Sequence, residues 1–118
     1  MTIVKCQTED QEQMQLVKYL QCRRLLFYHV PNGSNRSMAY AAKLKCLGLS
    51  PGVPDICIPI PRLTYHGLYL ELKRKKGGVV SDSQKYWIAE LRKQGYRAEV
   101  CRGADKAIEV IEEYLMKA

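Results

Sequence analysis

The sequence has no apolar run approaching the roughly 18 residues that a membrane span needs. It also has no internal repeat, low-complexity tract or Pro/Ser-rich linker, so one domain is expected over 1–118. The start, MTIVKCQTEDQEQ, shows no long apolar stretch after a basic beginning, and no secretory signal is expected there. Five cysteines, Cys6, Cys22, Cys46, Cys57 and Cys101, are scattered and form no CxxC pair. Structural zinc sites normally show such pairs, and an odd count does not fit a disulfide framework. The expectation is free thiols in a reducing, cytoplasmic compartment, several of them in the core. A catalytic cysteine paired with His29 or His66 has no local signature behind it.

Acidic residues are outnumbered. Twelve Asp plus Glu against nineteen Lys plus Arg leave a formal charge of +7 and a pI near 9.2. That balance favours a polyanionic partner, with nucleic acid the commonest candidate. At 118 residues, 47% hydrophobic and 26% charged, the chain can bury one core without disulfide staples.

The pattern predicts a first helix over about 9–24. Thr8 is its N-cap and Gln11 closes a capping box. Glu9, Asp10 and Glu12 stand where the helix dipole favours acids. Leu16, Val17 and Leu20 give the core face, and the same stripe runs back through Gln13 to Glu9. A carboxylate in line with an apolar stripe is either its wet end or a group aimed into a site. LLFYHV (25–30) reads as a short buried strand, and PNGSNRS as a loop. Residues 37–47 read as a helix with contacts through Ala39, Ala42 and Leu47 and a stop at Gly48. ICIPI is a short β-prone run whose prolines imply an edge position or an early end. GLYLELK is the next strand, joined to it as a hairpin by a loop of about six residues.

KRKKGG is a basic exit from that strand. Ser81 then caps a helix over about 82–94, with Gln84 closing a second box, Trp87, Ile88 and Leu91 inward, and Gly95 at its end. YRAEVC is the last strand. The closing helix over 104–117 turns Ala107, Ile108, Ile111, Tyr114 and Leu115 inward. The order α, β, α, β, β, α, β, α predicts an α/β fold, a mixed sheet flanked by helices.

The chemistry gathers on the GLYLELK strand. Alternation points Leu68, Leu70 and Leu72 one way and Tyr69, Glu71 and Lys73 the other. Folding the hairpin about residue 63 brings Asp55 opposite Glu71. Two carboxylates and an ammonium then converge. Paired carboxylates suit a hard cation such as Mg²⁺ or Mn²⁺, and the Leu72 carbonyl is a further candidate ligand. The competing interpretation is a plain surface ion pair between Glu71 and Lys73 on a solvated sheet face. Gln84 is the cap partner of Ser81, a polar group on an inward stripe that needs a partner the site could supply, or both.

These residues resemble the signature of the PD-(D/E)XK nucleases, and most closely its VRR-NUC (virus-type replication-repair nuclease) branch. The matching features are Glu9 and Gln13, Pro31-Asn32-Gly33, Arg36, Gly52-Val53-Pro54-Asp55, Glu71-Leu72-Lys73, Gly77-Gly78, Ser81 with Gln84, Trp87 and Gly95-Tyr96. They run over about residues 8–115. Each is weak alone, and their order and spacing together are specific. Ser34 departs from the PNGG that many members show.

The resemblance implies a restriction-endonuclease-like αβββαβ core and metal-dependent phosphodiester hydrolysis. Asp55 and Glu71 would bind the metal and Lys73 would be the catalytic lysine. Gln84 matches the family glutamine, and Glu9 the first-helix glutamate, with Glu12 a competing choice. It also implies a DNA partner, a homodimer with two active sites, a four-way, Holliday-type junction as substrate, and a bacterial or phage origin. Beside such a site, Arg74, Lys75 and Lys76 are candidates for contacting DNA phosphates. A solvated loop and a nuclear-import signal are the alternatives for that run. Arg36, Lys43 and Lys45 are further candidates. No base-reading helix is evident, so backbone or structure recognition is expected over sequence recognition.

Overall fold

The structure, a computed structural model, describes residues 6–31 and 37–116. Its elements are α1 (Glu9–Cys22), β1 (Tyr28–His29), α2 (Met38–Cys46), β2 (Ile56–Ile58), β3 (Leu68–Lys73), α3 (Asp82–Lys93), β4 (Arg97–Arg102) and α4 (Ala104–Met116). The strands form one sheet in the order β1-β2-β3-β4. The first two pairings are antiparallel and β3 runs parallel to β4, with α3 crossing between them. This is the mixed sheet flanked by helices that the sequence predicts.

The capping signals translate directly. Thr8 Oγ1 accepts from the Gln11 N–H while Gln11 Oε1 accepts from the Thr8 N–H. Ser81 and Gln84 repeat the arrangement at α3. Each box satisfies two amide groups that the first helical turn cannot bond internally.

Each sheet face is covered. Leu68, Leu70 and Leu72 of β3 pack with Leu16 and Leu20 of α1 and with Ala107, Ile111 and Tyr114 of α4. Val110 of α4 also joins this cluster. On the other face, Ile88 and Leu91 of α3 meet Ala98, with Tyr69, Trp87, Tyr96 and Val100 packed around them. The strict alternation of β3 therefore holds one row of side chains in the main core and turns the other toward α3. Cys57 and Cys101 are buried, whereas Cys6, Cys22 and Cys46 are exposed, and all five are free thiols.

Three expectations are corrected and one open alternative is resolved. The strand expected over 25–30 shrinks to Tyr28–His29, and both residues are exposed. β1 is an edge strand bonded only to β2, and Leu25 and Phe27 before it reach the core without strand pairing. β2 is not at an edge but between β1 and β3, and Pro59 instead marks its early end. The hairpin loop spans 59–67, longer than six residues, with Arg62 and Tyr65 bridged inside it. α2 has its cap at Ser37 but buries no residue, and Ala39, Ala42 and Leu47 are exposed. Its apolar spacing reports a helix that buries no face among the described residues.

Candidate active site

The β2–β3 pairing sets the site. Ile56 pairs with Leu70, Cys57 with Tyr69 and Ile58 with Leu68. The hairpin is thus symmetric about residue 63, and Asp55, just before β2, comes opposite Glu71. The Asp55 N–H donates to Glu71 Oε2 at 3.2 Å, and the Leu72 N–H donates to Asp55 Oδ2 at 2.9 Å. Both carboxylates are buried, at 3% and 1% exposure.

Lys73 and Gln84 complete the cluster. Lys73 Nζ stands 3.6 Å from Glu71 Oε1, and its side chain is 9% exposed. Gln84 Nε2 donates to the same Oε1 at 2.6 Å while its own Oε1 accepts from the Ser81 N–H at 2.9 Å. Gln84 is therefore both cap partner and site residue. One glycine makes this approach possible. Gly52 has φ +91°, and a Cβ there would lie 2.4 Å from the Ser83 carbonyl carbon. The GVPD loop can thus press its backbone against the start of α3, close to Gln84.

Burial raises the proton affinity of both carboxylates. Burial pushes Glu71 up to about 8, the Asp55 charge adds to it, and Lys73 opposes it. Asp55 is also raised, first by burial and then by the Glu9 charge, against the Leu72 N–H, His29 and Lys73.

Glu9 and Glu12 part company. Glu9 is half-buried, and its charge acts on both Asp55 and Glu71. Glu12 is 1% exposed and turns away; its Oε1 accepts from the Ala104 N–H at the start of α4 at 3.0 Å. His29 is a neighbour that sequence reasoning did not assign to the site. Its Nδ1 lies 2.9 Å from the Asp55 carbonyl oxygen and 3.1 Å from the Gln13 amide. Donation to Asp55 requires the Nδ1–H tautomer, and Gln13 must then present its oxygen. The Glu9–Gln13 stripe and a lone histidine in a predicted strand were the available signals.

Arg74, Lys75 and Lys76 lie exposed beyond Lys73, and Lys75 Nζ is 3.5 Å from Asp105. Lys43 and Lys45 are exposed on α2. Arg36 and Ser34 lie outside the described residues.

No group of three or more His, Cys, Asp or Glu side chains able to hold a metal occurs among the described residues. The candidate donors are two carboxylates and a backbone carbonyl. All are hard oxygens, and a dication would favour the charged form of both acids, which burial disfavours, so this set fits Mg²⁺ or Mn²⁺.

Fold and site together define a nuclease-type αβββαβ domain. The VRR-NUC domain family model matches residues 7–105, and the chain belongs to that family. A solved structure, a VRR_NUC domain protein, superposes with a TM-score of 0.82 at 33% sequence identity, over 95% of this chain and 91% of that one. No curated protein matches.

Proposed function

We propose that this protein is a divalent-metal-dependent DNA endonuclease that hydrolyses phosphodiester bonds. The observation that carries the proposal is the convergence of Asp55, Glu71, Lys73 and Gln84 at hydrogen-bonding and ion-pair distances at one end of the central β2–β3 pair. Asp55 and Glu71 would hold Mg²⁺ or Mn²⁺, with the Leu72 carbonyl as a further ligand. When bound, such an ion polarises a phosphoryl oxygen and lowers the pKa of its water.

The chain's own groups supply the rest. Gln84 fixes the Glu71 carboxylate through Oε1. Lys73 orients or deprotonates the attacking water and stabilises the charge that grows on the phosphate. The water oxygen forms the new bond to phosphorus as the bond to the leaving sugar oxygen breaks. Glu9 extends the acidic side of the site from α1. The basic exit Arg74–Lys76 holds neighbouring phosphates. A branched, Holliday-type substrate and a homodimer presenting two such sites are the finer parts of this proposal and rest on the family.

The test is cleavage of a labelled four-way junction and a matched linear duplex in Mg²⁺, Mn²⁺ or EDTA, with Lys73→Ala beside the native protein. Metal-dependent cutting lost in Lys73→Ala is expected, with the junction preferred. DNA binding without cutting in either metal would instead favour a non-catalytic binding module.

A further inference from the structure

Arg102 holds the basic exit from β3. It is the last residue of β4 and pairs with Lys73 in the parallel ladder, so the two side chains leave the same face of the sheet. Its Nη1 donates to the Gly77 carbonyl at 2.6 Å and its Nη2 to the Gly78 carbonyl at 3.1 Å, with the Arg74 carbonyl 3.5 Å from Nη1. Among the described residues this guanidinium meets carbonyls and no carboxylate.

The clamp fixes where the amides point. In a trans peptide the C=O and the following N–H face opposite ways. Two successive carbonyls converge on one guanidinium, so the N–H groups of Gly78 and Val79 leave side by side on the far side. Neither meets an acceptor among the described residues. Gly77 and Gly78 have φ +76° and +70°, which is what turns both carbonyls inward. A Cβ on Gly78 would lie 3.9 Å from Lys73 Cδ, so the turn runs along the Lys73 side chain. Val79 is 82% exposed. Adjacent outward amides beside a lysine are suited to a phosphate.

We propose that Arg102 is a positioning residue that shapes the Gly77–Gly78 turn into a backbone cradle. In it, the Gly78 and Val79 amides bind a DNA phosphate adjacent to the scissile one. This rests on the nuclease proposal and extends it to a site that carries no formal charge of its own. The guanidinium fork is occupied by carbonyls, so Arg102 acts through the turn and not on the phosphate. Lysine cannot replace it, because a single ammonium lacks the planar fork that spans two carbonyls.

The experiment measures affinity for a fluorescein-labelled duplex and four-way junction in Ca²⁺ across a salt series, with cleavage of the same DNA followed in Mg²⁺. Gly78→Ala and Arg102→Lys both preserve net charge. Each is expected to weaken binding by about tenfold, the loss of hydrogen bonds to a charged group, with an unchanged slope of log affinity against log salt. Arg102→Ala should weaken binding with the slope also unchanged, because backbone amides release no counterion. Native affinity in either charge-preserving variant overturns the cradle. A slope shallower by about 0.9 in Arg102→Ala overturns it too, making Arg102 a direct phosphate contact. If the native protein binds and cuts while these variants match it, only this inference fails. If the native protein neither binds nor cuts, the nuclease proposal fails with it.

Discussion

Gln84 makes two contacts with different purposes, and substitution separates them. Ser81→Ala removes the hydroxyl that caps α3 but leaves the Ser81 N–H that holds the Gln84 side chain. It should cost about 1 kcal/mol of stability in a denaturant titration and leave cleavage near the native rate. Gln84→Ala loses its half of the capping box and the bond to Glu71, and its cleavage should fall at least about tenfold. Equal loss of cleavage in both variants would reduce Gln84 to a cap.

The acids make a second residue-scale prediction, for the metal-free protein. Glu71 is raised from 4.5 to about 8 and Asp55 is raised with it. A raised acid favours the folded state most below its unfolded pKa, and that contribution is lost as pH climbs through the folded value. Asp55→Asn keeps an oxygen for the Leu72 N–H and removes one of the two charges. In EDTA its melting temperature should exceed the native one, by a margin that widens from about pH 4.5 to about 8. A mutant that melts lower throughout would show that the pair does not repel. The pair itself was legible in the sequence, because alternation along β3 and a hairpin centred on residue 63 are both local patterns. Gln84 was legible only as an open choice, since a capping box and a site contact leave the same mark.

Elements are where the sequence was least complete. Glu9 and Glu12 occupy the same first turn, and the stripe through Gln13 favours Glu9 without saying where Glu12 goes. What distinguishes Glu12 is Ala104, 92 residues away, whose N–H it accepts. Arg102 was silent for the same reason, its partners lying 25 and 24 residues earlier. α2 has a stop at Gly48 that the sequence shows, but a helical period does not say what the helix packs against. Glu12 ties α1 to the start of α4, and the Gly103 N–H ties that corner to the Lys73 carbonyl at 2.8 Å. Glu12→Ala should therefore destabilise by about 2 kcal/mol, the range for a buried bond to a charged acceptor. Glu12→Gln, which keeps an acceptor for Ala104, should cost less. The measurement is the denaturation midpoint at constant slope, and equal losses would assign the cost to packing and not to the bond.

Charge acts at the scale of the whole molecule. The formal +7 is not evenly available to DNA, because part of it is already engaged by acids. Lys75, in the basic exit, lies 3.5 Å from Asp105 in the first turn of α4. Both side chains are more than half exposed, so the pair contributes little to stability. Asp105 also benefits from the α4 dipole, and removing its charge costs up to about 1 kcal/mol at low salt. Asp105→Asn should therefore lower stability slightly yet bind DNA several-fold more tightly at low ionic strength. It frees Lys75 and removes a negative charge beside the path expected for the phosphates. The gain should shrink as salt rises, since the screening length falls from about 10 Å at 0.1 M to about 3 Å at 1 M. Affinity measured across that range by fluorescence anisotropy decides it. Curves that stay parallel would place the DNA away from Lys75, whereas convergence at high salt would run the DNA past the basic exit of β3.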